Sequence, residues 1–537
     1  MIRFVHCVAW FLCGLLPWAA AGCVSADLQL ISRIDASLAR AGRYLVQRQD
    51  ADGAWRSRAY GALRDGPSLT PLVMSVLFFL PQATPGATAS YTRGVDYLVG
   101  FVGPDGQIRA AERELLFPVY TSASASRVVR LLESSPRNLQ AQQAWLAYLR
   151  GRQLTEAMGW SPGDPQYGGW GFAMGVPRKP ADGQPREMFV ESNLTSTVFA
   201  LAALRSAKTP TDDPAYSRAL VFVQRCQNFP ALPVDADARY DDGGFFFMPD
   251  DPVQNKAGVA GADRRGRTRF HSYGTMTADG LRALIRCGLP PSHPRVAAAR
   301  RWLEQNFDPA HNPGVFEADR EVLRDATYYY WAWAVSHAFA ALGVRQVPTP
   351  RGPTDWATAL AEELLSRQRD DGSWANRYSD AKEDDPLVAT PWAAAALAIC
   401  RSSLMGQAHG QAPVLVHRLS AVPPSVKRDA THFRFAARHC GRVSVVCSYG
   451  RGGETSRRVL RPARGAEISA AAHRAILLHK TVVGPSGPAP EGRASVRDLS
   501  ACFAHALSST QDHPRAFSAE RSCATGYMGS ALDRAHG

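Results

Sequence analysis

No two of the ten cysteines in this 537-residue chain form a CxxC pair, and their spacing is wide throughout. Cys7, Cys13 and Cys23 fall in the first 23 residues, leaving an odd seven: Cys226, Cys287, Cys400, Cys440, Cys447, Cys502 and Cys523. That pattern excludes a disulfide framework and a zinc knuckle, and it leaves scattered structural thiols. A concentrated basic face is also lacking. The formal charge is +13, but from Gln411 onward there are 18 Lys and Arg against 8 Asp and Glu, so most of the excess sits in the tail. The remainder is nearly neutral, and nucleic acid is not an expected partner. At 45% hydrophobic and 20% charged residues, the chain is too apolar to be disordered as a whole.

The longest apolar run is at the start. Arg3 precedes "FVHCVAWFLCGLLPWAAA", and "AAAGC" supplies small residues ending at Cys23. Positive start, short apolar run and small-residue site together read as an export signal over residues 1–23 rather than a membrane span. "Ala-Ala-Gly-Cys" also resembles a bacterial lipobox, with Ala20 where that pattern usually carries Leu. Lipidation at Cys23 and plain secretion therefore both stay open. The expected location is outside the cytoplasm, periplasmic or held at a membrane.

One pattern occurs twice in full: "QRQDADGAW" at 47–55 and "SRQRDDGSW" at 366–374. Upstream of the first runs "RAGRYLVQRQDADGAW", a frame that recurs in part as "RGVDYLVGFVGPDGQI", "AWLAYLRGRQ", "RALVFVQRCQ" and "RRWLEQNF". That makes six units. Before each turn lies an amphipathic stretch such as 35–48, with apolar residues at i, i+3 and i+4. After it comes a more apolar one, such as "SNLTSTVFALAAL" or "DATYYYWAWAVSHAFAAL", opening with Ser, Asn or Asp as a helix cap. Outer amphipathic and inner apolar helices repeated six times predict an all-α fold, an (α/α)6 toroid of six helix-pair repeats.

The frame Arg-Ala/Gly, aromatic-aliphatic, Gln, Gly and Trp resembles the repeat of squalene–hopene and oxidosqualene cyclases and, more distantly, of protein prenyltransferase β subunits. The resemblance covers about 34–401. It implies a structural role for Gln49, Trp55, Gln368 and Trp374, which would tie one helix to the next turn, the Gln by hydrogen bonding and the Trp by stacking. The cyclases protonate an alkene with Asp-x-Asp-Asp; the matching stretch here is Asn193, Leu194, Thr195 and Ser196, with no acid among them. The prenyltransferases hold zinc through Asp, Cys and His; the comparable segments lack that set, and His271 and His337 read as helix-end and core histidines. No metal and no cofactor is expected.

Chemistry, if present, is expected where the inner helices begin. The candidate catalytic acids are Glu191, the carboxyl nearest the displaced motif, with Asp384 and Asp385. The latter two read equally as caps of the helix that follows. Asp279 reads as facing solvent or a backbone amine. Candidate ligand-binding residues are Tyr273, Tyr329, Tyr330, Trp392 and Asn193; Tyr328, Trp331 and Trp333 share the aromatic run, and most of it should pack the core because successive helical residues diverge. The loop 248–258, with Lys256, reads as a surface insertion. From Ser403 to the end the sequence is basic and of low complexity, an irregular, disordered tail of 403–537.

Three functions remain open. The first expectation is an exported protein binding a hydrophobic, isoprenoid-like small molecule or lipid in the toroid cavity, with peripheral membrane attachment. The alternatives are a terpene cyclase-like isomerase acting on a polyprenyl substrate and a carbohydrate-active (α/α)6 enzyme. Oligomeric state is not legible.

Overall fold

The computed structural model describes residues 28–80, 84–109, 115–181, 183–184, 189–230, 232–349 and 352–408, and three strands beyond them. The export signal, Cys23 and most of the tail lie outside the described residues. In chain order the helices are α1 (28–47), α2 (Thr70–Leu77), α3 (Ala87–Val99), α4 (Pro118–Val128), α5 (Pro136–Arg150), α6 (Leu194–Ser206), α7 (Pro214–Arg225), α8 (Gly274–Arg286), α9 (Pro294–Gln305), α10 (Glu321–Ala326), α11 (Tyr328–Leu342), α12 (Trp356–Ser366) and α13 (Pro386–Ala408).

Two kinds of helix alternate. In α1 the buried residues are Leu30, Ile31, Ile34, Leu38, Ala41, Tyr44 and Leu45, one stripe at helical spacing with Arg33 and Arg43 exposed beside it. In α6 every residue from Leu194 to Leu204 is buried, and α11 is buried almost throughout. Such helices have no outer face. Among the described residues, α2 packs on α4, α4 on α6, α6 on α8, α8 on α11, α11 on α13, and α13 returns to α2, so six largely buried helices touch in a closed cycle. The amphipathic helices pack against members of this cycle: α3 on α2, α5 on α4, α7 and α9 on α8, α12 on α13. The stretch Pro386–Gly406 of α13 is long and apolar enough to cross a membrane, yet it is largely buried in this cycle.

The repeated turn has a physical task. Gln368 Nε2 donates to Gly372 O of its own turn at 2.9 Å and to Ser37 O of α1 at 3.0 Å, while Arg40 of α1 donates to Gln368 Oε1. Gln49 does the same toward Gly53 O and Ser90 O of α3, both at 2.8 Å. Gln153 and Gln227 repeat it toward Ala215 O of α7 and Arg295 O of α9. Each glutamine thus joins one unit to the next, and Gln368 joins the last to the first. Gly372 is required there: its φ is +89°, and a Cβ would lie 2.7 Å from the backbone of Arg40. The tryptophans work within a unit. Trp55 Nε1 donates to Leu45 O and Trp374 Nε1 to Leu364 O, both at 2.8 Å, and Trp170 reaches Leu149 O at 3.0 Å. Their backbone N–H groups meet Thr70, Thr390 and Thr197 hydroxyls at the start of α2, α13 and α6.

Beyond 408, Arg442–Arg451 pairs antiparallel with Arg434–Arg438 on one side and Glu454–Leu460 on the other. Apart from these strands and the end of α13, the tail 403–537 that is expected to be irregular lies outside the described residues. "RVSVVCSY" is rich in β-branched residues, which favour a pleated strand over coil.

Candidate functional site

Inside the cycle, side chains of five helices meet. Phe199 of α6 stacks on Trp333 of α11 with ring centroids 5.6 Å apart, although α8 separates these helices in the cycle; the contact therefore crosses the interior. Trp333 also meets Trp392 of α13 at 4.8 Å and His337 at 4.9 Å, and Tyr330 meets Trp392 at 5.0 Å. Tyr120 of α4 packs on Phe199 at 5.4 Å and on Phe172 at 5.5 Å, and Phe172 continues to Phe247 at 6.1 Å. The result is a continuous aromatic wall from the loop before α8 to the interior.

Charged groups sit against this wall. Asp279 is fully buried, one oxygen accepting from Tyr330 OH at 2.5 Å and the other lying 3.4 Å from Arg282 Nη2. Burial pushes its carboxyl up to about 6, against the pull of Arg282 and the Tyr330 bond. The Arg282 guanidinium lies over the Trp333 ring, 4.3 Å from its centroid. His337, also buried, is held well below its ordinary value by burial first and then by Arg282, Arg286 and Arg127. It stays neutral, in keeping with a core histidine.

The expected residues separate under this geometry. Tyr330 and Trp392 belong to the interior group. Tyr329 does not: its hydroxyl reaches outward to Ala375 O at 3.5 Å, because adjacent helical residues diverge by about 100°. Tyr328 and Trp331 likewise turn to Pro309 O and Asp308 O. Tyr273 is buried and packs on Phe316 at 5.7 Å. Asn193 is the cap of α6, its side-chain oxygen accepting from Ser196 N at 2.8 Å.

Of the three expected catalytic acids, Asp385 caps α13 through Leu387 N at 2.8 Å and accepts from Ser57 Oγ, while Asp384 accepts from Tyr60 OH at 2.6 Å. These are contacts of the turn, and they match the capping alternative for Asp385. Glu191 precedes the short pairing of Ser192–Asn193 with Trp170–Gly171 and is not among the interior residues described above. The acid missed by sequence is Glu383. It is buried, and its two oxygens accept from Tyr329 N at 2.9 Å and Tyr330 N at 2.8 Å, the first turn of α11. Burial pushes its carboxyl up to about 8 even so. Asp279 was also misread, since it faces neither solvent nor a backbone amine. Nor is 248–258 a plain surface loop: Met248 is buried, and Asn255 ties the loop down by accepting from Phe247 N at 2.8 Å and donating to Met248 O at 2.8 Å. Lys256 lies over Phe247, 5.9 Å from its centroid. Among the described residues no group of three or more His, Cys, Asp or Glu is placed to hold a metal ion.

No family model matches the chain. No curated protein matches it by sequence. In structure it is similar to the type II terpene cyclase MstE from Scytonema in complex with its substrate geranylgeranyl dihydroxybenzoate, at 14% identity and a TM-score of 0.44, over 70% of this chain and 99% of that one. It is also similar to a protein from Actinoplanes (17% identity, TM-score 0.39, 69% of this chain and 99% of the other) and to a glycosidase in complex with glucose (12%, 0.39, 70% and 98%).

Proposed function

We propose that residues 34–401 form an (α/α)6 toroid of the squalene cyclase and prenyltransferase repeat type that binds an isoprenoid-like hydrophobic molecule in its interior. The observation that carries this reading is the aromatic wall formed by Tyr120, Phe172, Phe199, Tyr330, Trp333 and Trp392 across the cycle of six helices. Aromatic faces match a chain of alkenes in polarity and shape, and their few polar groups fix its orientation. Export belongs to the same proposal and rests on residues 1–23 alone, with a lipid on Cys23 as one means of keeping the protein beside a membrane that dissolves such ligands.

The two enzymatic alternatives have less support. A carboxyl at about 6 is a weaker acid than an ordinary aspartic acid at 3.8, by ~3 kcal/mol at ~1.4 kcal/mol per pH unit, so Asp279 is poorly suited to protonating an isolated alkene. A sugar hydrolase needs two free carboxyl groups across the substrate. Glu383, the acid on the other side of Tyr330, has both oxygens engaged by backbone N–H groups.

The experiment is a titration with farnesol followed by tryptophan emission and calorimetry, with squalene and 2,3-oxidosqualene incubations beside it. Saturable farnesol binding is expected, with an emission change that disappears in Trp333→Phe/Trp392→Phe while heat is still released. No cyclic product is expected. Absence of saturable binding, or a hopanoid-like product lost in Asp279→Asn, would overturn this reading.

A further inference from the structure

We infer that the interior ligand carries an anionic head group, a carboxylate or phosphate monoester on its apolar tail, and that Arg282 receives it. This deepens the binding reading above and rests on it. Arg282 lies two turns into α8, with a side chain only 3% exposed. A guanidinium does not lose its proton in a protein, so its charge is carried into the interior. Yet among the described residues Nε and Nη1 find no hydrogen-bond partner, which leaves three N–H donors of a buried cation unused there. Its one ion pair, Nη2 to Asp279 Oδ1, is long at 3.4 Å, and the other Asp279 oxygen is taken by Tyr330. A buried charge so weakly matched costs several kcal/mol unless something completes it.

The surrounding charges point the same way. Arg127 from α4 and Arg282 and Arg286 from α8 all act on His337 of α11, and Asp279 is the carboxylate that meets Arg282 and Arg286. Arg127 and Arg286 stand in the last turns of their helices, where a cation balances the carbonyl end of the helix. Arg282 stands four residues earlier and has no such explanation. It does have Trp333 beneath it, so an anion bonded to the guanidinium would place its attached chain beside the aromatic wall. The chemistry thus selected is an amphiphile with an acid at one end: planar carboxylate and tetrahedral phosphate both accept the guanidinium's diverging N–H groups.

Calorimetry with four probes tests this: farnesol, farnesoate, farnesyl monophosphate and inorganic phosphate, each against wild type, Arg282→Gln and Arg282→Lys. Farnesoate or farnesyl monophosphate is expected to bind wild type at least tenfold more tightly than farnesol, and whichever does so identifies the head group. That preference should vanish in Arg282→Gln and survive in part in Arg282→Lys. Thermal melts confirm that each variant is folded; if Arg282→Gln is not, the wild-type preference and Arg282→Lys decide. Equal binding of farnesol and both anions to wild type overturns the head-group inference and leaves the hydrophobic reading standing. Failure of all three prenyl probes overturns both, and tight binding of inorganic phosphate alone would assign the site to a free anion instead.

Discussion

Trp374→Ala is expected to destabilise the protein by ~3–5 kcal/mol, the cost of truncating a large, fully buried aromatic. The effect should lie at the upper end of that range, because the ring carries a buried hydrogen bond as well as its packing. The indole N–H is bonded to Leu364 O at the carbonyl end of α12, while the Trp374 backbone N–H, which the substitution keeps, holds Thr390 at the start of α13. Removing the ring leaves a cavity and an unpaired carbonyl between an outer and an inner helix. Trp55→Ala should cost about the same, since Trp55 makes the same pair of bonds to Leu45 O and Thr70. Urea unfolding checks both. Wild-type midpoints in either variant would show that the repeated turn does not hold the units together.

The second large effect is a pH dependence carried by Glu383. In the folded protein its carboxyl keeps its proton up to about 8, whereas in the unfolded chain it releases it near 4.5. Between those values the folded state binds the extra proton, so the contribution of this group to stability is fully present below about 4.5 and is lost as pH rises through 8. The slope approaches ~1.4 kcal/mol per pH unit, which amounts to a loss on the order of a few kcal/mol across the window. Asp279 acts in the same direction between 3.8 and about 6, while His337 and Lys256, pushed down by burial, act in the opposite one. All three remain in Glu383→Gln and cancel in the difference. Unfolding of both proteins at pH 5, 6.5 and 8 should therefore show wild type losing stability relative to the variant as pH rises. Parallel curves would mean that Glu383 does not change its proton in this range.

Why Gln49, Trp55, Gln368 and Trp374 were legible in advance is clear from their contacts. Each lies within a dozen residues of one of its partners, so the spacing itself encodes the bond, and the repetition marks it as structural. Asp279 was not legible, because its partner Tyr330 is 51 residues away and the pairing exists only after α8 and α11 pack together. The sequence carries one signal for it: "TMTADGLRALI" is an inner helix, and an inner helix has no face on which Asp279 and Arg282 could reach water. The acidic run Glu383, Asp384 and Asp385 posed a different difficulty. All three have the same composition-level meaning, a helix cap, and the backbone decides between them. Lys382 takes a left-handed φ of +59°, and the chain that leaves it delivers Glu383 to the start of α11 and Asp385 to the start of α13. Within the aromatic run 328–333, Tyr330 and Trp333 turn to the interior while Tyr329 points to Ala375 O, a divergence that helical geometry dictates and composition does not show.

The interior of the six-helix cycle is proposed as a binding site for a prenyl chain. A crystal structure of the protein grown with farnesol or farnesoate tests it most directly. An extended ligand along Phe199, Tyr330, Trp333 and Trp392 is expected, with its polar end at Arg282. A ligand found only on the outer helices, with the aromatic contacts inside the cycle unchanged, would contradict it.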